Sequence, residues 1–304
     1  AGATSAEKRR GVAETLMETG ADAAVLSAPD SIAWLLNIRG CDVSNTPLAL
    51  SYAIVRQTGG VDWYVDARKL APAVRDALDS DVTLREPADF PADLAGLGKA
   101  GKTIRLDMAT IPEAVRLALS ESGAEIVSGS DPCTLPKAKK NDAEIAGTRA
   151  AHIRDGVALI RFLAWLAAEA PKGNVTELSA AARLRDFRAP GDRFRGLSFE
   201  TISGSGPNGA IVHYRVTSAT DRALSPGDVY LVDSGAQYLD GTTDVTRTVF
   251  IDDGNGPPAE AKDRFTRVLK GHIAIATARF PAGTHGSQID ALARQPLWEH
   301  MEKH

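Results

Sequence analysis

The chain has 304 residues, of which 43% are apolar and 24% are charged, and its formal net charge is −4. This balance is ordinary for a globular protein of about two domains. The slight acidic excess argues against nucleic acid as a partner, because nucleic-acid-binding proteins present a basic face. No apolar run approaches the roughly 18 residues that a membrane span needs, so we expect no membrane partner either.

The start of the chain and its two cysteines lead to expectations about cellular location. Residues 1–4 have neither the basic nor the apolar segment of a signal peptide, and no initiator Met, so we expect the chain to begin inside a longer protein. Cys41 and Cys133 lie far apart without a CxxC spacing, which argues against a disulfide framework and a thiolate zinc site. We expect both to be small buried residues in a protein of the reducing cytoplasm.

The first 135 residues predict an α/β domain with a mixed sheet. Strands at 50–56 and 61–66 flank Gly59-Gly60, a pattern typical of a hairpin. The predicted helices span 5–20, 69–78 and 112–122, with a short one from Pro29, and the other strands span 22–28, 82–85, 102–107 and 124–128.

A linker is predicted at 130–136, which contains two prolines, and we place the domain boundary between 135 and 136. The domains are therefore 1–135 and 136–304. Asn141 is expected to cap a long helix to about 170, with apolar residues at helical spacing. His152 lies within it, where a surface or core-edge position is expected. A helix at 176–187 and a strand at 197–203 follow.

Residues 204–209 formally match the GxGxxG pattern of a dinucleotide site. We reject that interpretation because Pro207 interrupts the pattern and the next residues, 210–214, predict a strand rather than a helix. The glycines are expected to let the backbone turn tightly beside a site. His213 belongs to this apolar strand, about twenty residues before Asp233, and on this pattern alone it is either structural or catalytic.

Two carboxylates, Asp233 and Asp244, stand eleven residues apart in the segment VYLVDSGAQYLDGTTDVTRTVF, residues 229–250. Asp233 ends an apolar run that predicts a buried strand, and Asp244 lies in a β-branched run, 242–246, that predicts a second one. Gly235, Asp240 and Gly241 supply turn residues between them. The chain is therefore expected to double back and bring both acids into one space. Helices are predicted at 259–278 and from about 287.

The negative charge of two converging carboxylates needs a compensating cation or hydrogen-bond donors. Desolvating an ionised acid costs several kcal/mol without a cation or a set of donors, and of two neighbouring acids one is forced to hold a proton. A divalent metal ion relieves both constraints; oxygen ligands suit Mn²⁺, Mg²⁺ or Co²⁺, and a site that includes His also accepts Zn²⁺. The alternative is that Asp233 caps a turn and Asp244 pairs with Arg247.

The segments DSGAQY (233–238) and DGTTDVTRT (240–248) closely resemble the catalytic hairpin of the aminopeptidase P (Xaa-Pro aminopeptidase) family of dimetal "pita-bread" metallopeptidases. GPNGAIVHY (206–214) resembles the family's segment just upstream, and SIAWLLNIRG (31–40) resembles its creatinase-type domain. LKGHIA (269–274) and the final helix also fit. The resemblance covers nearly the whole chain.

The resemblance implies an α/β creatinase N-terminal-like domain followed by a pita-bread catalytic domain. It implies that Asp233 binds one metal ion, that Asp244 bridges two, and that His213 contacts the substrate or moves a proton near the scissile bond. The implied cofactor is a pair of divalent ions, Mn²⁺ first, with Zn²⁺ or Co²⁺ as alternatives. The implied reaction removes the residue that precedes proline with a metal-bound hydroxide, in a cytoplasmic homodimer whose partner is a proline-containing peptide.

The sequence also departs from the family pattern. The HGTGHG-type segment and two later Glu ligands do not occur; His272 and His285 do not match them, and His300 and His304 lack the glycines. Two carboxylates offer at most four oxygens, whereas two octahedral ions need about ten to twelve coordination positions. We therefore expect a truncated catalytic domain, inactive by itself, from an active parent.

Three other functions stay open. A non-catalytic pita-bread module that binds peptides or proteins is disfavoured, because a binder does not need two converging acids. A prolidase-like dipeptidase differs only in a length preference that these residues do not reveal. A creatinase-like amidinohydrolase is disfavoured, because that chemistry does not use a metal.

Overall fold

The computed structural model describes residues 2–299, which form two compact units. Of the described residues, the first unit comprises 2–161, Leu184–Thr201 and Asp233–Val245. The second comprises Phe162–Arg183, Ile202–Val232 and 246–299. In the described part of the chain, no helix combines the length and the apolar character that crossing a membrane requires.

The elements alternate between helix and strand through the first half of the chain. The strands are β1 (Ala23–Leu26), β2 (Tyr52–Arg56), β3 (Val61–Tyr64), β4 (Val82–Arg85), β5 (Thr103–Leu106), β6 (Glu125–Ser128), β7 (Phe194–Leu197), β8 (Ile202–Ser205), β9 (Val229–Ser234), β10 (Ala236–Tyr238), β11 (Gly241–Thr242) and β12 (Val245–Phe250). The α-helices are α1 (Ser5–Glu18), α2 (Pro29–Leu36), α3 (Pro72–Asp76), α4 (Phe90–Lys99), α5 (Glu113–Ser122), α6 (Thr134–Ala138), α7 (Asp142–Glu169), α8 (Glu177–Arg188), α9 (Ala259–Thr277) and α10 (Gly286–Trp298).

The first unit is built on a six-stranded mixed sheet, in the order β4-β3-β2-β1-β5-β6. β1 pairs antiparallel with β2 and parallel with β5, and the predicted hairpin joins β2 to β3. Both faces of the sheet are buried, because successive strand residues enter different hydrophobic clusters: Ala24 and Leu26 lie in one, Ala23 and Val25 in the other. The mixed α/β architecture expected from the sequence is confirmed.

Some local predictions need correction. A short helix, α6, begins within the predicted linker and ends two residues after it, and α4 was not predicted at all. Cys133 is buried in a hydrophobic cluster, as expected, but Cys41 is exposed, so that half of the prediction was wrong. The predicted strand at 197–203 is two strands, β7 and β8, which belong to different three-stranded sheets.

Those two small sheets position the segment that contains both acids. One has the order β11-β10-β7 and lies in the first unit, and the other has the order β12-β9-β8. The segment 229–250 therefore contributes β9 and β12 to one sheet and the β10–β11 hairpin to the other. It is a bent ribbon rather than the single hairpin that the sequence predicted.

Candidate metal centre

Asp233 and Asp244 lie side by side, with their carboxyl groups within hydrogen-bonding reach. Asp233 is the fifth residue of β9. Asp244 lies outside any strand, in the two-residue interval between β11 and β12, so the predicted continuous strand across 242–246 was wrong at its centre. The sequence nevertheless identified the two acids that the fold brings together.

Thr243 explains why the second strand is interrupted. Its backbone N–H still donates to the Ala236 carbonyl at 2.9 Å. Its hydroxyl, however, accepts the Ala236 N–H at 3.0 Å, which replaces a main-chain partner by a side chain. The Thr243 carbonyl in turn accepts from the Ser198 hydroxyl at 2.9 Å. Thr243 is buried and its N–H, hydroxyl and carbonyl are all hydrogen-bonded. The next residue, Asp244, therefore leaves the strand pairing.

Gly235 allows the chain to bend back this closely. A Cβ at position 235 would lie 1.9 Å from the Thr243 carbonyl oxygen and 2.3 Å from the Ser198 hydroxyl. Both distances are far inside van der Waals contact, so only glycine fits here. The close approach of Gly235 to Thr243 is what brings Asp233 and Asp244 together.

The electrostatics of the pair are unfavourable without a cation. Partial desolvation of the Asp244 carboxyl and the neighbouring Asp233 carboxylate raise the pKa of Asp244 above its usual value. Asp233 Oδ1 is buried and has no hydrogen-bond partner within residues 2–299. A buried carboxylate oxygen without a hydrogen-bond partner lies next to an acid with a raised pKa. A hard divalent cation, which prefers oxygen ligands, would stabilise this arrangement.

His152 is a neighbour of the pair that sequence reasoning did not assign to it. It lies on α7, is exposed, and its Nδ1 is 2.9 Å from the Thr148 carbonyl. Its charge acts on Asp244 in the opposite direction to Asp233 and lowers the pKa of that carboxyl. No local pattern in the sequence identifies it, because some ninety residues separate it from Asp244.

A buried ion pair, Arg188–Asp155, supports the segment 229–250. The Arg188 guanidinium donates to both Asp155 oxygens, at 2.7 and 3.0 Å, and also to the hydroxyl of Ser234, the residue after Asp233. The Arg188 and Asp155 side chains are 0% and 3% exposed. The Tyr238 hydroxyl on β10 donates at 3.0 Å to Asp155 Oδ1, which also accepts from Arg188 Nε. The Arg188–Asp155 pair therefore holds two strand ends: Arg188 bonds Ser234 at the end of β9, and Asp155 bonds Tyr238 at the end of β10.

The alternative interpretation of Asp244 finds no support in the geometry. Arg247 donates to the Thr246 carbonyl, at 2.7 Å, and is exposed. The acid that arginines do hold is Asp240, in the turn of the β10–β11 hairpin, which pairs with Arg154 and Arg193. Two arginines compensate the charge on that turn, whereas within residues 2–299 no Lys or Arg forms an ion pair with Asp233 or Asp244.

The structure places His213 in the second unit, in a conformation that the sequence did not predict. Residues 206–210 form a 3₁₀ turn, not the start of a strand, and residues 211–214 are not in a strand either. The strand prediction was wrong because Ile211 and Val212 are 54% and 83% exposed and pack into no core. His213 itself has a positive φ of 54°. The backbone at Gly206 also has a positive φ, 55°, in agreement with the expected tight turn.

The ligand set is limited in the described part of the chain. Within residues 2–299, no cluster of three or more His, Cys, Asp or Glu side chains is arranged to hold a metal ion. The residues that fit a cation are therefore the two carboxylates alone. His272 lies on α9 and His285 caps α10, while His300 and His304 lie outside the described residues.

Two family models match this chain. Residues 1–144 match the creatinase/prolidase N-terminal domain, and residues 146–304 match metallopeptidase family M24. The chain belongs to metallopeptidase family M24. The expected fold class, a creatinase N-terminal-like domain followed by pita-bread M24 sequence, is confirmed. The boundary between 135 and 136 stays a prediction.

Individual relatives agree with the M24 assignment and confirm the resemblance to the aminopeptidase P family. A probable Xaa-Pro aminopeptidase P of Aspergillus clavatus is 45% identical over 284 residues, 90% of this chain and 42% of the relative. One of Aspergillus niger is 44% identical over 307 residues, 98% and 49%. The crystal structure of an X-prolyl aminopeptidase from Caenorhabditis elegans, a cytosolic enzyme with a di-nuclear active site, has a TM-score of 0.88 at 36% identity, and the match covers 98% of this chain and 49% of that one. The chain spans about half the length of the curated relatives it matches.

Substitution of Gly235, in the segment 229–250, tests its close approach to Thr243. Gly235→Ala is expected to push Thr243 away and to lower the free energy of unfolding by about 1–3 kcal/mol, the usual cost of overpacking. Gly156→Ala on α7 is the matched control, because a Cβ there meets nothing within 4 Å; it should be neutral or stabilising by up to about 1 kcal/mol. Urea denaturation measures both, and equal stabilities of the two variants would contradict the packing argument.

Removal of the Arg188 side chain tests the buried ion pair with Asp155. Arg188→Ala leaves Asp155 buried without its partner and should cost roughly 3–5 kcal/mol of unfolding free energy. Arg185→Ala removes a residue of the same helix whose ion pair with Asp186 is exposed, and should cost at most about 1 kcal/mol. Thermal and urea denaturation give the comparison; a loss below about 1 kcal/mol in Arg188→Ala would show that the pair does not support the ribbon.

The repulsion between the acids predicts a pH dependence in chelator-treated protein. Because the folded-state pKa of Asp244 is raised, this group stabilises the fold most at low pH, and that contribution is lost as pH rises through the folded-state pKa. Asp244→Asn should therefore be more stable than wild type at pH 7, and the difference should shrink towards pH 3. Asp186→Asn, an exposed control, should show no such trend. A gain for Asp244→Asn that is larger at low pH would reverse the assigned sign.

Proposed function

We propose that this chain is part of a metal-dependent aminopeptidase that removes the N-terminal residue from peptides with proline in second position. The observation that carries the proposal is that the segment 229–250 holds Asp233 beside Asp244, with no Lys or Arg of residues 2–299 in an ion pair with either acid. Family membership and the names of the relatives support the reaction class. Since the chain spans about half of those relatives, the activity is proposed for the complete product of its gene.

In this proposal Asp233 would bind one divalent ion and Asp244 would bridge two. When bound, such ions polarise the scissile carbonyl and make water a nucleophile at neutral pH. Carboxylate oxygens suit Mn²⁺, our first choice, and Zn²⁺ or Co²⁺ are the alternatives. The two side chains offer too few oxygens for two ions, so we expect the 304 residues by themselves to bind a metal pair weakly.

His213 would contact the substrate or move a proton near the scissile bond. Its side chain is exposed, and within residues 2–299 no hydrogen bond or ion pair occupies it. Histidine is the side chain that most often transfers protons in enzyme reactions. We also propose a cytoplasmic location and a homodimer for the complete gene product, in keeping with the cytosolic X-prolyl aminopeptidase of Caenorhabditis elegans for the location.

Metal binding and hydrolysis test the proposal in the complete gene product. Calorimetric titration with Mn²⁺ and Zn²⁺ should show uptake by wild type, and Asp233→Asn and Asp244→Asn should each weaken it by about 100-fold or more, beyond what loss of an outer-shell partner costs. Wild type should cleave a tripeptide with proline in second position and lose this activity with a chelator.

Asp186→Asn is the matched control, since Asp186 is exposed and pairs only with a neighbouring arginine. It should bind metal and cleave the peptide as wild type does. Wild type that takes up neither Mn²⁺ nor Zn²⁺ would favour the non-catalytic peptide-binding module instead. Cleavage of the Xaa-Pro dipeptide alone would favour the prolidase-like enzyme.

A further inference from the structure

Glu177, the first residue of α8, is a fully buried carboxylate in the second unit, at 0% exposure. Within residues 2–299 it forms no ion pair with Lys, Arg or His. A buried charge without a cation is costly unless several donors solvate it.

Hydrogen-bond donors from one loop surround this carboxylate. The backbone N–H of Ser205 donates to Oε1 at 2.6 Å, and that of Arg222 donates to Oε2 at 3.2 Å. The Asn208 amide lies 3.0 and 3.2 Å from the two oxygens. The Tyr214 hydroxyl lies 3.2 Å from Oε2. All four donors belong to the segment 205–222, so the loop folds around a single anion.

The same loop contains His213. Asn208 donates to the Tyr214 hydroxyl at 2.9 Å, and the Tyr214 N–H donates to the Ile211 carbonyl at 3.2 Å. These contacts close the turn from 208 to 214 on both sides of His213. The side chains before it, Ile211 and Val212, are exposed. Packing therefore does not fix His213; its buried neighbour Tyr214, which is bonded to Glu177, does.

The backbone of His213 also needs such an anchor. Its φ of 54° lies in the left-handed region, which is uncommon for a residue with a side chain. A strained backbone of this kind persists only where the surroundings over-determine it, and such residues cluster at functional sites. The Glu177 contacts on both sides of the turn, at Asn208 and Tyr214, supply that constraint.

We propose that Glu177 is a positioning residue for the peptidase reaction, and that it acts by holding the 205–222 loop in the one conformation that presents His213. The proposal rests on the function proposed above for His213. Glu177 itself touches neither substrate nor metal in this scheme. Its carboxylate, which lies outside the loop, accepts from the N–H, amide and hydroxyl donors of all four loop residues.

Glu177→Gln is the sharpest test, because it keeps the size of the side chain and replaces one acceptor oxygen by a donor. At least one of the Ser205, Asn208 and Arg222 donors then faces an NH₂ group. Amide hydrogen exchange at 205–222 should accelerate by about tenfold or more, with other segments unchanged. Glu169→Gln is the matched control, since Glu169 forms an exposed ion pair with Lys172; it should alter neither exchange nor activity.

Kinetics of the complete gene product separate positioning from mere support of the fold. Glu177→Gln should lower kcat by about 100-fold with little change in KM, as expected for a misplaced reacting group. In a His213→Gln background, the same substitution should lower kcat no further, because Glu177 acts only through His213. Mn²⁺ affinity should not change. Should Glu177→Gln fail to fold, Tyr214→Phe removes one donor and should show the same pattern with a smaller loss.

The outcomes are distinguishable. Faster exchange in the loop with an unchanged kcat overturns the positioning role, as does an equal loss of kcat in the wild-type and His213→Gln backgrounds. Wild type that cleaves no Xaa-Pro peptide overturns the proposed function. In that case the His213 imidazole resonances decide whether Glu177 sets the position of His213: a shift in Glu177→Gln supports it, and unchanged resonances overturn it.

Discussion

The close approach of Asp233 to Asp244 is the constraint on which the rest of the ribbon depends. Two neighbouring carboxyl groups repel each other when both ionise, and desolvation together with this repulsion raises the pKa of Asp244. The fold nevertheless holds them together, with Gly235 packed against the Thr243 carbonyl and Ser198 bonded to the same atom. A folded chain keeps such a local conflict where function requires it.

Three acidic sites differ in how their charge is compensated: Asp155 and Glu177 are buried, Asp233 is partly buried, and Asp244 is exposed. Asp155 is paired with Arg188 in a bidentate contact. Glu177 is solvated by four donors of one loop. Within residues 2–299, neither Asp233 nor Asp244 forms an ion pair with Lys or Arg, and one oxygen of Asp233 has no hydrogen-bond partner. The first two sites are compensated within the protein, and the third is the one for which we propose a metal ion.

The two supporting sites each act next to a residue with a proposed role. Arg188 bonds Ser234, directly after Asp233, and Glu177 bonds Tyr214, directly after His213. Both contacts come from opposite ends of α8: Glu177 is its first residue and Arg188 its last.

The sequence by itself determined the mixed α/β class, most helices and strands of the first half, and the two acids of the candidate site. It did so because periodicity, prolines and turn glycines are local, and because the ribbon's motif is specific. Only the tertiary structure decided that the ribbon is split between two sheets, that Thr243 breaks the second strand, and that 210–214 is not a strand. It also revealed His152, Arg188 and Glu177, whose contacts join residues about 30 to 90 positions apart. Local propensity cannot encode such contacts, because the free energy that selects them arises only when distant segments pack.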